Sequence, residues 1–293
     1  MCALATPFTA NGALDLDAFS RLIDYQLDAG TQALVVAGST GEAHMLEGSE
    51  FVDLLRFAVR HVAGRAPVIA GTGAAATRET VLHSQRARDA GADAVLVVAP
   101  YYVRPDQAGM MRHFTRVADQ AGVPVILYNV PARTACDLLP ATVRVLREHP
   151  AIVGIKEAVA DPARISALAA LARTDFAYLS GDDGSAAQAM LAGATGCVSV
   201  VANVAPVFFR QLCDAARAGD ADTASRLAAD LQPLLDALNA GPNPVPVKAG
   251  LAALGLGHNS VREPLLALTD GQAVSRITAA LAALNDQTRK QTR

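Results

Sequence analysis

"GMMRHFTRVADQAGVPVILYNVP", Gly109 to Pro131, changes its period halfway. As far as Gly122 the apolar residues Met110, Phe114, Val117 and Ala121 recur every three or four positions, the spacing of one helix face. From Val125 the run Val-Ile-Leu-Tyr is short, partly β-branched and closed by a proline, which predicts a strand. Gly122 stands between the two where a helix C-terminus prefers glycine. Helix, glycine turn and strand make one unit of an alternating chain.

The unit recurs along the sequence. Strand-like runs "CALATPF", "ALVVAG", "PVIAGTG", "AVLVVAP", "PVILYNVP", "IVGIKEA", "FAYLSGDD" and "GCVSVVANV" follow in order, with amphipathic stretches such as Leu16 to Gly30 and Phe51 to Gly64 between them. Strict alternation implies a parallel sheet, either closed into a barrel or open and doubly wound. Eight units within about 220 residues suit the barrel, whose usual size is about 250. The open sheet often carries a Gly-x-Gly-x-x-Gly turn after its first strand, and "ATPFTANG" is not one. The expected fold is α/β, a (β/α)8 TIM barrel over residues 1–219 that carries the active site.

Beyond "AARAGD" only helical patterns continue, so residues 220–293 are expected to form a C-terminal helical domain. Its entry "GPNPVPVK" is expected to be loop and turn, because closely spaced prolines do not continue a helix.

With 52% hydrophobic residues the chain can bury a large core, and its net charge of -3 leaves no basic cluster beyond the tail "RKQTR". That balance offers no footprint for nucleic acid or an anionic membrane, and points to small soluble partners. Cys2, Cys136, Cys197 and Cys213 form no Cys-x-x-Cys pair, the start "MCALATPF" lacks the features of a signal peptide, and no apolar run reaches about 18 residues. A cytoplasmic location is expected.

In such barrels chemistry sits at the C-terminal ends of the strands. "AIVGIKEA" ends its apolar run in Lys156, one of only three lysines among 25 basic residues, the others being Lys248 and Lys290. A desolvated amine gives up its proton and can then attack a ketone to form a Schiff base, which a guanidinium cannot do. The alternative is that Lys156 snorkels to the rim or pairs with Glu157. Sequential strands lie about 4.8 Å apart, so Tyr128 at the end of the preceding strand is within reach of the same small substrate. It is either a proton shuttle or an aromatic filling the barrel top.

"GSTGEA" puts Ser39 and Thr40 between glycines, which suits a carboxylate but also fits an ordinary glycine turn. In "SGDDGS", Asp182 and Asp183 resemble a Mg²⁺ pair, although adjacent aspartates opening a helix are more often its cap. The six histidines include no pair at ligand spacing, so no metal is expected.

"GSTGE", "GTG", "PYYVRP", "YNVPART", "GIKEA", "SGDD" and "GPNPVPVK", in that order, resemble the dihydrodipicolinate synthase (4-hydroxy-tetrahydrodipicolinate synthase) family of pyruvate-dependent class I aldolases. The resemblance implies that Lys156 forms the Schiff base with pyruvate and that Tyr128 donates and accepts the proton. It implies a hydroxyl relay of Ser39, Tyr128 and Tyr102, with Tyr102 supplied by the neighbouring subunit of a tight dimer. Thr40 would hold the pyruvate carboxylate, Arg133 the carboxylate of the incoming L-aspartate 4-semialdehyde, and Gly181 and Val198 would complete the substrate site. It further implies no cofactor, a homotetramer built as a dimer of dimers, and a place in lysine and diaminopimelate biosynthesis.

Two positions depart from the family pattern. Ser39 replaces the usual first threonine of "GTTGE", as in sialic acid lyases and ketodeoxy-sugar-acid aldolases, and Gly241 stands where glutamate often precedes "PNP". A lyase of that kind is the alternative function, with a non-catalytic pyruvate-binding protein behind it. In members that L-lysine inhibits, polar residues hold the ligand at the dimer interface. Here the matching positions are Ala43, His44, Gly48, Phe51, Ala75, Glu79 and Tyr101, so insensitivity to lysine is expected.

Overall fold

A computed structural model of the protein describes residues 1–291, with side chains as far as Gln287; the side chains of the basic run 289–293 lie outside the described residues. The eight strands are β1 Cys2–Ala3, β2 Leu34–Val36, β3 Val68–Gly71, β4 Ala94–Val98, β5 Val125–Asn129, β6 Ile152–Glu157, β7 Ala177–Ser180 and β8 Gly196–Cys197. Each pairs in parallel with the next. The sheet closes through a parallel bridge between Cys2 and Ser199, with Ala3 N donating to Ser199 O at 2.8 Å and Ser199 N to Met1 O at 3.0 Å. The fold is the expected (β/α)8 barrel.

Alternation along each strand builds two cores. Val35, Ile69, Leu96, Ile126, Tyr128, Leu179 and Val198 fill the interior of the barrel. Their neighbours Leu34, Val36, Val95, Val97, Leu127 and Ile155 face outward against the helices. The helix Gln107–Ala121 buries Met110, Phe114, Val117 and Ala121, the stripe the sequence shows, and stops at Gly122, whose φ of 72° only glycine adopts at little cost. Asp15, Asp106 and Asp161 each cap a following helix by accepting a backbone N–H three residues on.

After the helix Pro206–Arg217 come three more, Ala221–Leu238, Val245–Ala253 and Gly271–Gln291. One expectation is corrected here. Within "GPNPVPVK" only the first four residues are irregular, and a helix begins at Val245 with Pro246 in its first turn. Backbone N–H groups have no intrahelical partner there, so a proline sacrifices nothing. Among the described residues no helix is long and apolar enough to cross a membrane.

Candidate active site

Two adjoining cavities open at the C-terminal ends of the strands. One, of about 300 Å³, is lined by residues that include Ser39, Tyr128, Arg133, Lys156 and Asn243. The other, of about 350 Å³, shares those five and adds Thr40, Gly181, Asp182 and Asp183. Gln232, Leu235, Leu238 and Asn239 wall its far side, so the helix Ala221–Leu238 roofs the strand ends.

Tyr128 and Lys156 are register partners on β5 and β6. Lys156 is 4% exposed, and its Nζ lies 4.3 Å from the centre of the Tyr128 ring. Glu157 points to the opposite face of the sheet, and Lys156 forms no ion pair among the described residues, so the rim pairing weighed from sequence is absent. Gly181 explains how the lysine is held. A Cβ there would lie 2.9 Å from Lys156 Cε and 3.0 Å from its Cγ, so the β7 end packs directly on the amine's stem.

Lys248 is the instructive contrast. It is 1% exposed, yet its Nζ donates to Glu42 Oε1 and to Ser260 O at 2.7 Å and lies 4.1 Å from the centre of the Phe8 ring. Burial pulls its pKa down to about 8 while the Glu42 carboxylate pulls the other way. The ammonium is therefore held by partners on every side, whereas Lys156 faces open space. Of the two buried lysines among the described residues, Lys248 is tied to partners and Lys156 is in no ion pair.

The Glu42 anchor also fixes the loop after β2. Glu42 takes a second bond from Arg262 N at 2.9 Å, and Thr6 Oγ1 donates to Gly41 O at 2.7 Å. Thr40, 2% exposed, accepts from Asn243 Nδ2 at 2.9 Å. Because that bond fills an acceptor position on Oγ1, the threonine's own proton is free to point at a ligand. Burial and the nearby Arg133 guanidinium push His44, on the wall of the first cavity, below its usual pKa.

Two expected site residues line neither cavity of their own chain. Tyr102 is 91% exposed on the loop after β4, with φ of 71°, and lines neither cavity. Val198 is 1% exposed within the barrel interior. Neither aspartate caps the helix Ala186–Leu191, whose N-cap is Ser185: Asp182 Oδ2 closes a turn by accepting from Ser185 N at 2.8 Å, and Asp183 Oδ2 ties in the segment after β8 through Val200 N at 3.0 Å and Val201 N at 2.8 Å. Asn243, Glu42 and Lys248 lie inside quoted motifs, but nothing in their spacing shows that residues some 200 positions apart would meet.

A (β/α)8 barrel with a buried, unpaired lysine beside a tyrosine at its strand ends fits the class that its relatives define, an aldolase-type lyase. The sequence profile of the dihydrodipicolinate synthetase family matches residues 1–283. The chain belongs to that family. It is 53% identical over 284 residues to the 4-hydroxy-tetrahydrodipicolinate synthase of Xanthomonas axonopodis pv. citri, covering 96% of this chain and 94% of that protein. The chloride-inhibited dihydrodipicolinate synthase of Acinetobacter baumannii, solved in complex with pyruvate, superposes with a TM-score of 0.94 at 38% identity, covering 97% of each chain. The enzyme of Cyanidioschyzon merolae, solved with lysine bound, gives 0.92 at 33% identity and 97% of each chain.

Proposed function

We infer that this chain is a 4-hydroxy-tetrahydrodipicolinate synthase, condensing pyruvate with L-aspartate 4-semialdehyde. The observation that carries the reading is the pairing of Lys156 with Tyr128 across β5 and β6, with the amine buried, unpaired and facing the cavity. Lys156 Nζ attacks the pyruvate ketone, and loss of water leaves an imine that acts as an electron sink. Loss of a methyl proton gives the enamine, whose carbon attacks the semialdehyde. Tyr128 moves the protons in a relay with Ser39 and with Tyr102 from a neighbouring subunit.

Thr40 holds the pyruvate carboxylate beside Gly181, Val198 backs the pocket, and Arg133 takes the carboxylate of the semialdehyde through its paired donors. The exposure and left-handed backbone of Tyr102 support its use by a partner rather than by its own chain. The assembly we propose is a homotetramer, a dimer of dimers, in the cytoplasm. Residues 1–219 form the catalytic unit and residues 220–293 the helical one that roofs it.

Borohydride reduction in the presence of pyruvate, followed by peptide mass spectrometry, should place a covalent adduct on Lys156. A parallel assay should show semialdehyde condensation well above cleavage of N-acetylneuraminate or ketodeoxygluconate. An adduct with dominant cleavage activity would assign the chain to the sugar-acid lyases instead, and no adduct at Lys156 would end the Schiff-base reading.

A further inference from the structure

Behind the inward pair Tyr128 and Lys156 stands an outward one. Asn129 and Glu157 are the next register partners on β5 and β6, and strand alternation turns both toward the helices, where they are 0% and 2% exposed. Asn129 Nδ2 lies 3.0 Å from each Glu157 carboxylate oxygen and 2.8 Å from Asp137 Oδ1, while its Oδ1 accepts from Leu138 N at 2.9 Å. Arg164, on the helix Pro162–Ala169, donates to Asp137 Oδ2 at 2.5 Å, to Leu138 O at 3.1 Å and to Glu157 Oε2 at 3.4 Å. Val159 N completes the set on Glu157 Oε1 at 2.9 Å.

These bonds close the base of the segment 130–138. Within it Arg133 lies on a helix of four residues, Pro131–Thr134, and is itself exposed. A single turn has little stability of its own, so the placement of Arg133 depends on how the two ends of the segment are fastened. We propose that Asn129, Glu157 and Arg164 are positioning residues that set Arg133 over the cavity and thereby govern recognition of the acceptor aldehyde's carboxylate. Imine formation is left to the inner face of the same strands. The inference rests on the acceptor reading given above.

The clamp depends on ionisation. Every group bonded to the Glu157 oxygens is a donor, so the ionised form suits them, and a proton there would face donors. Burial nonetheless pushes the carboxyl up to about 7, against the bonds from Asn129 and Val159 and the Arg164 charge, with Asp137 adding to the rise; Tyr178 on β7 is a further titratable neighbour. The clamp is therefore intact above that value and loosens below it.

The test compares steady-state kinetics of the full chain with those of Glu157→Gln and Arg164→Met, using pyruvate and L-aspartate 4-semialdehyde. Each variant should raise the aldehyde KM by about tenfold, the scale of one lost charge-assisted bond, while the pyruvate KM and the yield of borohydride-trapped adduct hold steady. The unsubstituted enzyme should show an aldehyde KM that climbs as pH falls through about 7, and Glu157→Gln a high, flat one. Asp137→Asn, at the more exposed edge of the clamp, should give the same split if Glu157→Gln does not fold. An unchanged aldehyde KM, or proportional changes for both substrates, overturns the clamp. An unsubstituted enzyme that forms the adduct but condenses no semialdehyde overturns the acceptor reading instead.

Discussion

Lys248 and Glu42 form an ion pair across 206 residues of sequence, with side chains 2% and 1% exposed. It joins the helix that follows "GPNP" to the loop bearing Ser39 and Thr40. Removing one partner leaves the other charged and buried. Lys248→Met should therefore destabilise the protein by about 3 to 5 kcal/mol, while the double variant with Glu42→Leu should recover much of that loss. Urea denaturation of both variants checks this, and additive losses would show that the pair is not coupled.

Gly181→Ala should fold and lose activity. The added methyl meets the Lys156 stem at 2.9 to 3.0 Å and the backbone oxygen of Glu157 at 3.1 Å, so the lysine is displaced and the β6 backbone gives by a few tenths of an ångström. A displacement of about 1 Å in a nucleophile costs on the order of a hundredfold in rate. We expect that loss in the rate of adduct formation with pyruvate, with a folded protein whose thermal unfolding is lowered modestly. An alanine variant that traps pyruvate at the parent rate would show that the contact has no bearing on the amine.

Tyr102→Phe and Lys156→Ala, each inactive alone, should regain part of the activity when subunits are exchanged. The exposed tyrosine lines neither cavity of its own chain, so a mixed dimer should contain one site with both residues intact. Exchange confirmed by mass spectrometry without recovery of activity would remove Tyr102 from the relay.

L-lysine at about 1 mM should leave the initial rate unchanged at saturating pyruvate, a concentration that corresponds to a binding free energy near 4 kcal/mol. A cavity of about 220 Å³ lies beside Ala43, His44, Gly48, Phe51 and Tyr101, but its other walls include Arg86 and His83. The His44 ring sits edge-on to Tyr101 at 4.9 Å, and Phe51 covers His83 at 5.7 Å. An ammonium group entering there meets a guanidinium and few acceptors, and Ala75 and Glu79 are not on the cavity wall. Half-maximal inhibition below that concentration would overturn this.

The barrel was legible because two periods, two and 3.6, alternate without interruption, and Lys156 and Tyr128 were legible because strand ends are where such barrels work. What sequence could not show depended on side chains meeting across long separations. Lys248 is as rare a residue as Lys156, and only the partner at Glu42 reveals it as structural. Glu157 suggested a partner for Lys156 until strand alternation turned it to the other face, where Arg164 and Asn129 wait. The early start of the helix at Val245 escaped because a proline breaks a helix interior but not its first turn.

The closure of the barrel through Cys2 and Ser199 has a bearing on biosynthesis. β1 gains its second neighbour only when the chain has reached Ser199, and Asn203 then bridges Ala3 O at 2.7 Å and Ala5 N at 2.9 Å. At about 5 to 20 residues per second, a ribosome needs roughly 10 to 40 s to make that stretch. Throughout that interval the nascent sheet has a bare edge, the kind of surface that recruits other strands. A chain cut short after several strands but before β8 would keep that edge, so such a fragment should be prone to aggregate rather than form a smaller soluble barrel.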